Sequence, residues 1–299
     1  VSVIDEILTL KKDLNAIILS HNYQIGEVQD IADFVGDSLD LSRKAADTDA
    51  DVIVFCGVHF MAETAAILSP GKTVVMPDPE AGCPMADMID DKQLRAEKDK
   101  YPDATVVTYV NSTAAVKAES DWCCTSANAV RVIEAVESDK ILFVPDKYLG
   151  AYVASKAPEK EFILWNGFCP THARIIAEDI AARRLEHPNA VVMVHPECRP
   201  EVIAAADQVL STGGMIAFAK ETKAKEIIVG TEVGIIHRLK KENPDKDFYP
   251  VSELAVCPNM KKTDLHVMLT AMQEMTNVIK VRGDIAARAR RAIDRMLSV

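Results

Sequence analysis

The sequence predicts an α/β protein built from three homologous αβα units, whose small parallel sheets are arranged around a pseudo-threefold axis with a shared site at the centre. Three observations carry this reading. The chain repeats itself, its strand-like runs are apolar without alternation, and one cysteine recurs at the same place in each copy.

The repeat is visible when Asn15-Ala-Ile-Ile-Leu-Ser-His21-Asn-Tyr23, Asp103-Ala-Thr-Val-Val-Thr-Tyr109-Val-Asn111 and Asn189-Ala-Val-Val-Met-Val-His195-Pro-Glu197 are laid together. Landmarks of the first copy recur at one constant offset in the third: Asn15 and Asn189, Asp37 and Ser211, Pro70 and Pro244, Cys83 and Cys257. The middle copy keeps the same order with a two-residue deletion between Pro158 and Cys169. Length alone, 299 residues, suggests two domains of about 150 residues. The repeat replaces this with three units of about 87 residues, over 1–100, 101–187 and 188–299.

Within each unit the order reads strand, helix, strand, helix, strand. Ala16–Leu19, Val52–Cys56, Thr105–Val107, Ile141–Val144, Val191–Val194 and Ile227–Val229 are near-continuous apolar runs, as expected of parallel strands covered on both faces. Each unit closes on Pro-x-Lys (Pro70, Pro158, Pro244) and then Cys-Pro (Cys83, Cys169, Cys257). Two amphipathic helices are added at the ends. Residues 3–14 place Ile4, Ile7 and Leu8 on one face, and residues 284–297 place Ile285, Ala289, Ile293 and Met296 on one face. The arginines of the second, Arg288, Arg290, Arg291 and Arg295, read as a solvated outer face.

With 34 basic and 45 acidic residues the net charge is −11, which disfavours nucleic acid and anionic membranes as partners. No stretch approaches eighteen uninterrupted apolar residues, and charges at Asp5, Glu6, Lys11 and Lys12 interrupt any signal-peptide core, so a cytoplasmic protein is expected. Seven cysteines, an odd number, then point to thiols or metal ligands rather than disulfides.

Cys83, Cys169 and Cys257 alone share a repeat position, so three units about an axis bring three thiolates to one point. Cys56, Cys123, Cys124 and Cys198 read as buried thiols. Zinc usually recruits a fourth protein ligand, whereas a [4Fe–4S] cluster on three cysteines keeps one open iron suited to Lewis-acid dehydration. The same convergence delivers His21 with Tyr23, Tyr109 with Asn111, and His195 with Glu197 from the first strand of each unit, a set fitted to proton transfer. Asp37-Ser38, Thr125-Ser126 and Ser211-Thr212 open helices, where hydroxyls and backbone amides hold carboxylates or phosphate. A Gly-rich phosphate loop is absent. The residues thus describe a dehydration or condensation on a small multi-anionic substrate.

A run of motifs covering almost the whole chain resembles the quinolinate synthase family: His21-Asn-Tyr-Gln24, Asp30-Ile-Ala-Asp33, Gly36-Asp-Ser-Leu39, Phe60-Met-Ala-Glu63, Cys83-Pro-Met-Ala86, Tyr109-Val-Asn-Ser112, Thr125-Ser-Ala-Asn128, His195-Pro-Glu-Cys198, Ser211-Thr-Gly-Gly214 and Asn259-Met-Lys261. The resemblance implies condensation of iminoaspartate with dihydroxyacetone phosphate to quinolinate, phosphate and two waters, in NAD biosynthesis. It implies a [4Fe–4S] cluster on Cys83, Cys169 and Cys257 with one open iron. Tyr23, Tyr109, His195 and Glu197 then look like the proton-transfer set, His21 and Asn111 like orienting groups, and Ser38, Ser126, Ser211 and Thr212 like anion binders, with His172 bordering the site. An aspartate oxidase or dehydrogenase supplying iminoaspartate is the implied pathway neighbour.

Two departures stand out. Some members place Gly-His before the second cluster cysteine, where this chain has Gly167-Phe168, and the C-terminal CxxC of some bacterial members is missing, so no disulfide switch is expected. The reductive dehydratase of isoprenoid synthesis and the radical enzymes of diphthamide synthesis share the three-unit plan. The His-Asn-Tyr-Gln, Tyr-Val-Asn-Ser and His-Pro-Glu motifs decide against both.

Overall fold

The computed structural model describes residues 2–299. The first sheet holds β1 (Ala16–His21), β2 (Phe34–Gly36), β3 (Val52–Cys56) and β4 (Thr73–Val75) in the order β2-β1-β3-β4. The second holds β5 (Thr105–Tyr109), β6 (Trp122–Cys124), β7 (Lys140–Val144) and β8 (Glu161–Leu164), and the third β9 (Val191–Val194), β10 (Gln208–Val209), β11 (Glu226–Gly230) and β12 (Asp247–Pro250). Their orders, β6-β5-β7-β8 and β10-β9-β11-β12, reproduce the first. All pairings in the three sheets are parallel, and helices flank each sheet, so the α/β architecture of three αβα units holds.

The inner strands are buried along nearly their whole length, Val52–Cys56 throughout, which accounts for the missing alternation. Two repeated devices fix the units. Asp33, Asp121 and Asp207 each accept the amide of a residue fifteen positions earlier, Ile18, Val106 and Val192, at 2.8–2.9 Å, which fastens the edge strand to the first strand. The lysines of Pro-x-Lys reach back to backbone carbonyls before the central strand. Lys72 donates to Ala50, Lys160 to Val136 and Ser138, and Lys246 to Ala219 and Thr222. A donor with three protons suits carbonyls that a helix end leaves without partners.

The terminal helices dock away from their own positions in the chain. The first helix (Val3–Asp13) is closed by a capping box between Ser2 and Asp5. Its buried face differs from the expected one. Ile7 is covered, with Val3, Leu10 and Leu14 packing beside it, while Ile4 and Leu8 are 39% and 37% exposed. The covering surface is a helix the periodicity did not single out, Leu265–Glu274, whose Met268, Ala271 and Met272 join Ile7 and Ile18 in one cluster. Val278 then bridges Val75 at the edge of the first sheet.

The last helix (Gly283–Leu297) buries Ala289, Ala292, Ile293 and Met296 against Ala114–Ala118 and β6 of the second unit. Arg291 is exposed as expected, but three other arginines of this helix do more than meet water, which corrects the expectation for them. Arg288 pairs with Glu119 at 2.8 Å, Arg290 donates to the Ile67 and Leu68 carbonyls, and Arg295 donates to Asp121 while lying over Trp122. They rim the helix where it spans the first and second units. No helix among the described residues is long and apolar enough to cross a membrane.

Candidate active site

In each sheet the strand order reverses between the first and third strands of the unit, and the loops leaving those two strands at their carboxyl ends open onto one crevice. The three crevices share a single cavity of about 260 Å³. His21, Tyr23, Ser38, Tyr109, Asn111, Ser126, His172, His195, Glu197 and Thr212 line it, together with Cys83, Cys169 and Cys257. Ser211 does not. Its hydroxyl caps the helix Thr212–Glu221 by accepting the Gly214 amide at 3.1 Å, and it faces Asp37 at 3.4 Å.

The first and third units present their imidazoles in one way. The Tyr23 amide donates to His21 Nδ1 at 3.2 Å, and the Glu197 amide donates to His195 Nδ1 at 3.3 Å. With Nδ1 an acceptor, the ring proton of the neutral imidazole sits on Nε2. Burial holds both rings neutral, bringing each down to about 3. His195 Nε2 then donates to Ser126 Oγ at 3.1 Å, which leaves the Ser126 proton free for another acceptor.

Glu197 is the hub. It accepts from the Tyr109 hydroxyl at Oε1, from Asn111 Nδ2 at 3.5 Å, and from His172 Nδ1 at 2.7 Å on Oε2. Burial pushes the carboxyl up, but the imidazoles of His172 and His195 and the hydrogen bonds from His172 and Tyr109 outweigh it and bring it to about 2. Burial, then the charge of Glu197, raises both Tyr23 and Tyr109. At neutral pH the Glu197 carboxylate therefore faces protonated phenols in the cavity.

Thr231 completes a directed chain. The Tyr23 hydroxyl lies 2.5 Å from Thr231 Oγ1, which lies 2.8 Å from His172 Nε2; with Glu197 accepting from Nδ1 of a neutral His172, Nε2 is an acceptor, so Thr231 donates to it and Tyr23 donates to Thr231. Every donor of this chain points toward Glu197, so the chain is satisfied in a single polarity.

Each cysteine precedes a short 3₁₀ turn, at Ala86–Met88, His172–Arg174 and Asn259–Lys261. Burial raises all three thiols, Cys83 to about 12, while amides aimed at the sulfur pull back: Ala86 and Met85 at Cys83, His172 at Cys169, Met260 and Asn259 at Cys257. Two buried acidic residues hold the second and third of these loops. Asp146 caps the helix Lys147–Lys156 and its backbone bridges Gly167 just before Cys169, and Glu232 receives the Cys257 amide at 3.1 Å while pairing with Lys261 at 2.9 Å. Gly167, beside Phe168, is required by close approach, since a Cβ there would meet the Pro145 carbonyl oxygen at 2.3 Å. Phe168 itself packs against Tyr148 and under the Lys147 ammonium.

Cys169, His172 and Glu197 also place one donor atom each within 4.8 Å of one another, close enough to hold a metal ion. Sequence reasoning missed Thr231, Glu232, Asp146 and Lys261. A signal existed for three of them: Val58, Asp146 and Glu232 occupy one repeat position after the central strand, with Thr231 just before.

Residues 5–298 match the family model described as quinolinate synthetase A protein. The chain is 60% identical to quinolinate synthase of Thermodesulfovibrio yellowstonii over 296 residues, covering 99% of this chain and 98% of the relative. It is 60% identical to quinolinate synthase of Dehalococcoides mccartyi strain CBDB1 (98% and 97% covered) and 54% identical to that of Methanosarcina barkeri (99% and 97%).

Proposed function

The chain belongs to the quinolinate synthase family, an enzyme family, and on that premise we propose that it condenses iminoaspartate with dihydroxyacetone phosphate to quinolinate, phosphate and two waters. These formulae balance without an oxidant, a reductant or ATP. The observation that carries the reading is the single cavity in which the Glu197 carboxylate, two protonated phenols and two donor imidazoles meet three equivalent thiols. In NAD biosynthesis an aspartate oxidase or dehydrogenase would supply the iminoaspartate.

The donor set fits a [4Fe–4S] cluster: three soft thiols from three units, amides aimed at each sulfur, and no fourth cysteine at the cavity. Cys83, Cys169 and Cys257 would hold it, and when bound it supplies an open iron, a Lewis acid for loss of hydroxyl. The compact Cys169, His172 and Glu197 group supports a competing mononuclear site. Iron with matching acid-labile sulfide favours the cluster, and one metal ion without sulfide favours the alternative.

The residues of the chain do the rest. Glu197 is the proton acceptor, because its carboxyl is held well below the usual range, it faces proton donors on both oxygens and it is not paired with a lysine as Glu232 is. Tyr23 takes a substrate proton as it passes its own through Thr231 to His172 Nε2, while His172 Nδ1–H moves to Glu197. Tyr109 stands at the other carboxylate oxygen, placed to return a proton to a leaving hydroxyl. His21 Nε2–H, the hydroxyls of Ser38, Ser126 and Thr212, and Asn111 orient carboxylate and phosphate groups. Ser211 contributes through the helix it caps. Burial keeps water from the intermediates.

The test is anaerobic incubation with dihydroxyacetone phosphate and iminoaspartate generated in place by aspartate oxidase. Quinolinate should accumulate, and iron-loaded protein that forms none would defeat the proposal.

A further inference from the structure

At the seam between the first and third units, Asn22 is fully buried and its side chain is held on both sides. Arg238, in the helix Ile235–Glu242, donates from Nη1 to Asn22 Oδ1 at 2.8 Å and to the Val35 carbonyl at 2.6 Å. Its Nε is held by Glu242 at 2.6 Å, and Glu242 in turn by Lys220 at 2.6 Å. Asn22 Nδ2 donates to Thr212 Oγ1 at 3.0 Å. The backbone of Asn22 is also pinned, its amide to Gly36 and its carbonyl to Gln29 Nε2.

A guanidinium has donors only, so the Asn22 oxygen must face Arg238 and the Asn22 NH₂ must face Thr212. Thr212 Oγ1 is thereby an acceptor from the protein. Its own proton has no protein acceptor among the described residues, and the residue lines the cavity. The reverse polarity, Thr212 donating to Asn22, would turn the NH₂ of Asn22 against Arg238, donor to donor, in a buried place.

We propose that Arg238 and Asn22 are positioning residues that fix the Thr212 hydroxyl as a hydrogen-bond donor toward an anionic group of the substrate. Neither touches the cavity contents; they act through Thr212. The identity of the anion rests on the proposed function, while the polarity rests on the seam. Ser126 is set in the same sense from another direction, by His195 Nε2.

The test is calorimetric binding of dihydroxyacetone phosphate to anaerobically isolated, iron-loaded protein. Asn22→Asp accepts from both Arg238 and Thr212 and so turns the hydroxyl inward; affinity should fall about tenfold, as should that of Thr212→Val. The double variant should bind no more weakly than either single variant, because the mutations remove the same bond. Arg238→Lys, still a donor, should retain most of the affinity that Arg238→Met loses, and KM for this substrate should rise more than kcat falls. Losses that multiply in the double variant, or wild-type affinity in Asn22→Asp, would overturn the relay. A poorly folding Arg238→Met leaves the Asn22 and Thr212 cycle to decide alone. Wild-type protein that binds the triose phosphate but makes no quinolinate would count against the proposed reaction, not against the relay.

Discussion

Replacing Glu197 with Gln removes the proton acceptor while keeping the shape. In the wild type one oxygen receives Tyr109 and the other receives His172 at 2.7 Å, both within a fully buried cluster. An amide offers one oxygen and one NH₂, so either His172 or Tyr109 is left facing a donor, unless the whole chain back to Tyr23 reverses. An unsatisfied buried donor costs about 1–3 kcal/mol, which the fold can bear. Loss of a general base costs about 10²–10⁴ in turnover. The expected variant is thus folded, lower in thermal midpoint, loaded with iron to the wild-type level, and nearly inactive. Steady-state quinolinate formation beside iron analysis and circular dichroism reads all three. A near-normal kcat with normal iron content would remove Glu197 from proton transfer and leave it a structural hub.

Other consequences follow from particular contacts. Cys83→Ser should abolish the broad visible absorbance of the anaerobic protein, whereas Cys56→Ser, buried in the first sheet and away from the cavity, should keep it; retention in both would refute the ligand assignment. Burial holds folded His21 and His195 near 3 against 6.5 for the free group, so an unfolded chain binds protons there that the native one does not. Their contribution is complete above about 6.5 and is lost as pH falls toward 3, by about 1.4 kcal/mol per pH unit for each ring. Urea midpoints that stay flat across this range would contradict it. Glu197, lowered to about 2 from 4.5, adds to the loss only below about 4.5. Ile293→Ala should destabilise by about 2–5 kcal/mol, because that side chain is fully covered where the last helix meets the second unit; a change near zero in denaturation would mean that the helix does not dock there.

The sheets were legible because three copies of one pattern reinforce each other. A run such as Val52–Cys56 is ambiguous alone, but its recurrence at Ile141–Val144 and Ile227–Val229 with fixed flanking motifs is not. The position of the last helix was not legible, since amphipathicity gives a helix a buried face but says nothing of what covers it. The helix Leu265–Glu274 and its docking on Val3–Asp13 escaped for the same reason, and the buried face of the first helix was assigned one residue off. At the site, residues of one type at a repeat position, such as the three cysteines, stand out, whereas Asp146 and Glu232 share their repeat position with the apolar Val58 and do not. Thr231 is a lone threonine after a strand, with no counterpart at Gly57 or Pro145, and its role exists only through Tyr23 and His172, distant in the chain. Arg238 reads from sequence as one charge on a basic helix, and only its approach to Asn22 sets it apart.

The central claim is that three units assemble one site for a condensation that releases phosphate and builds an aromatic ring. The most direct measurement follows quinolinate and inorganic phosphate together, in an anaerobic reaction supplied with iminoaspartate and dihydroxyacetone phosphate. One phosphate per quinolinate is expected, dependent on both substrates and absent with Cys83→Ser. Phosphate release without quinolinate, or equal turnover by Cys83→Ser, would contradict it.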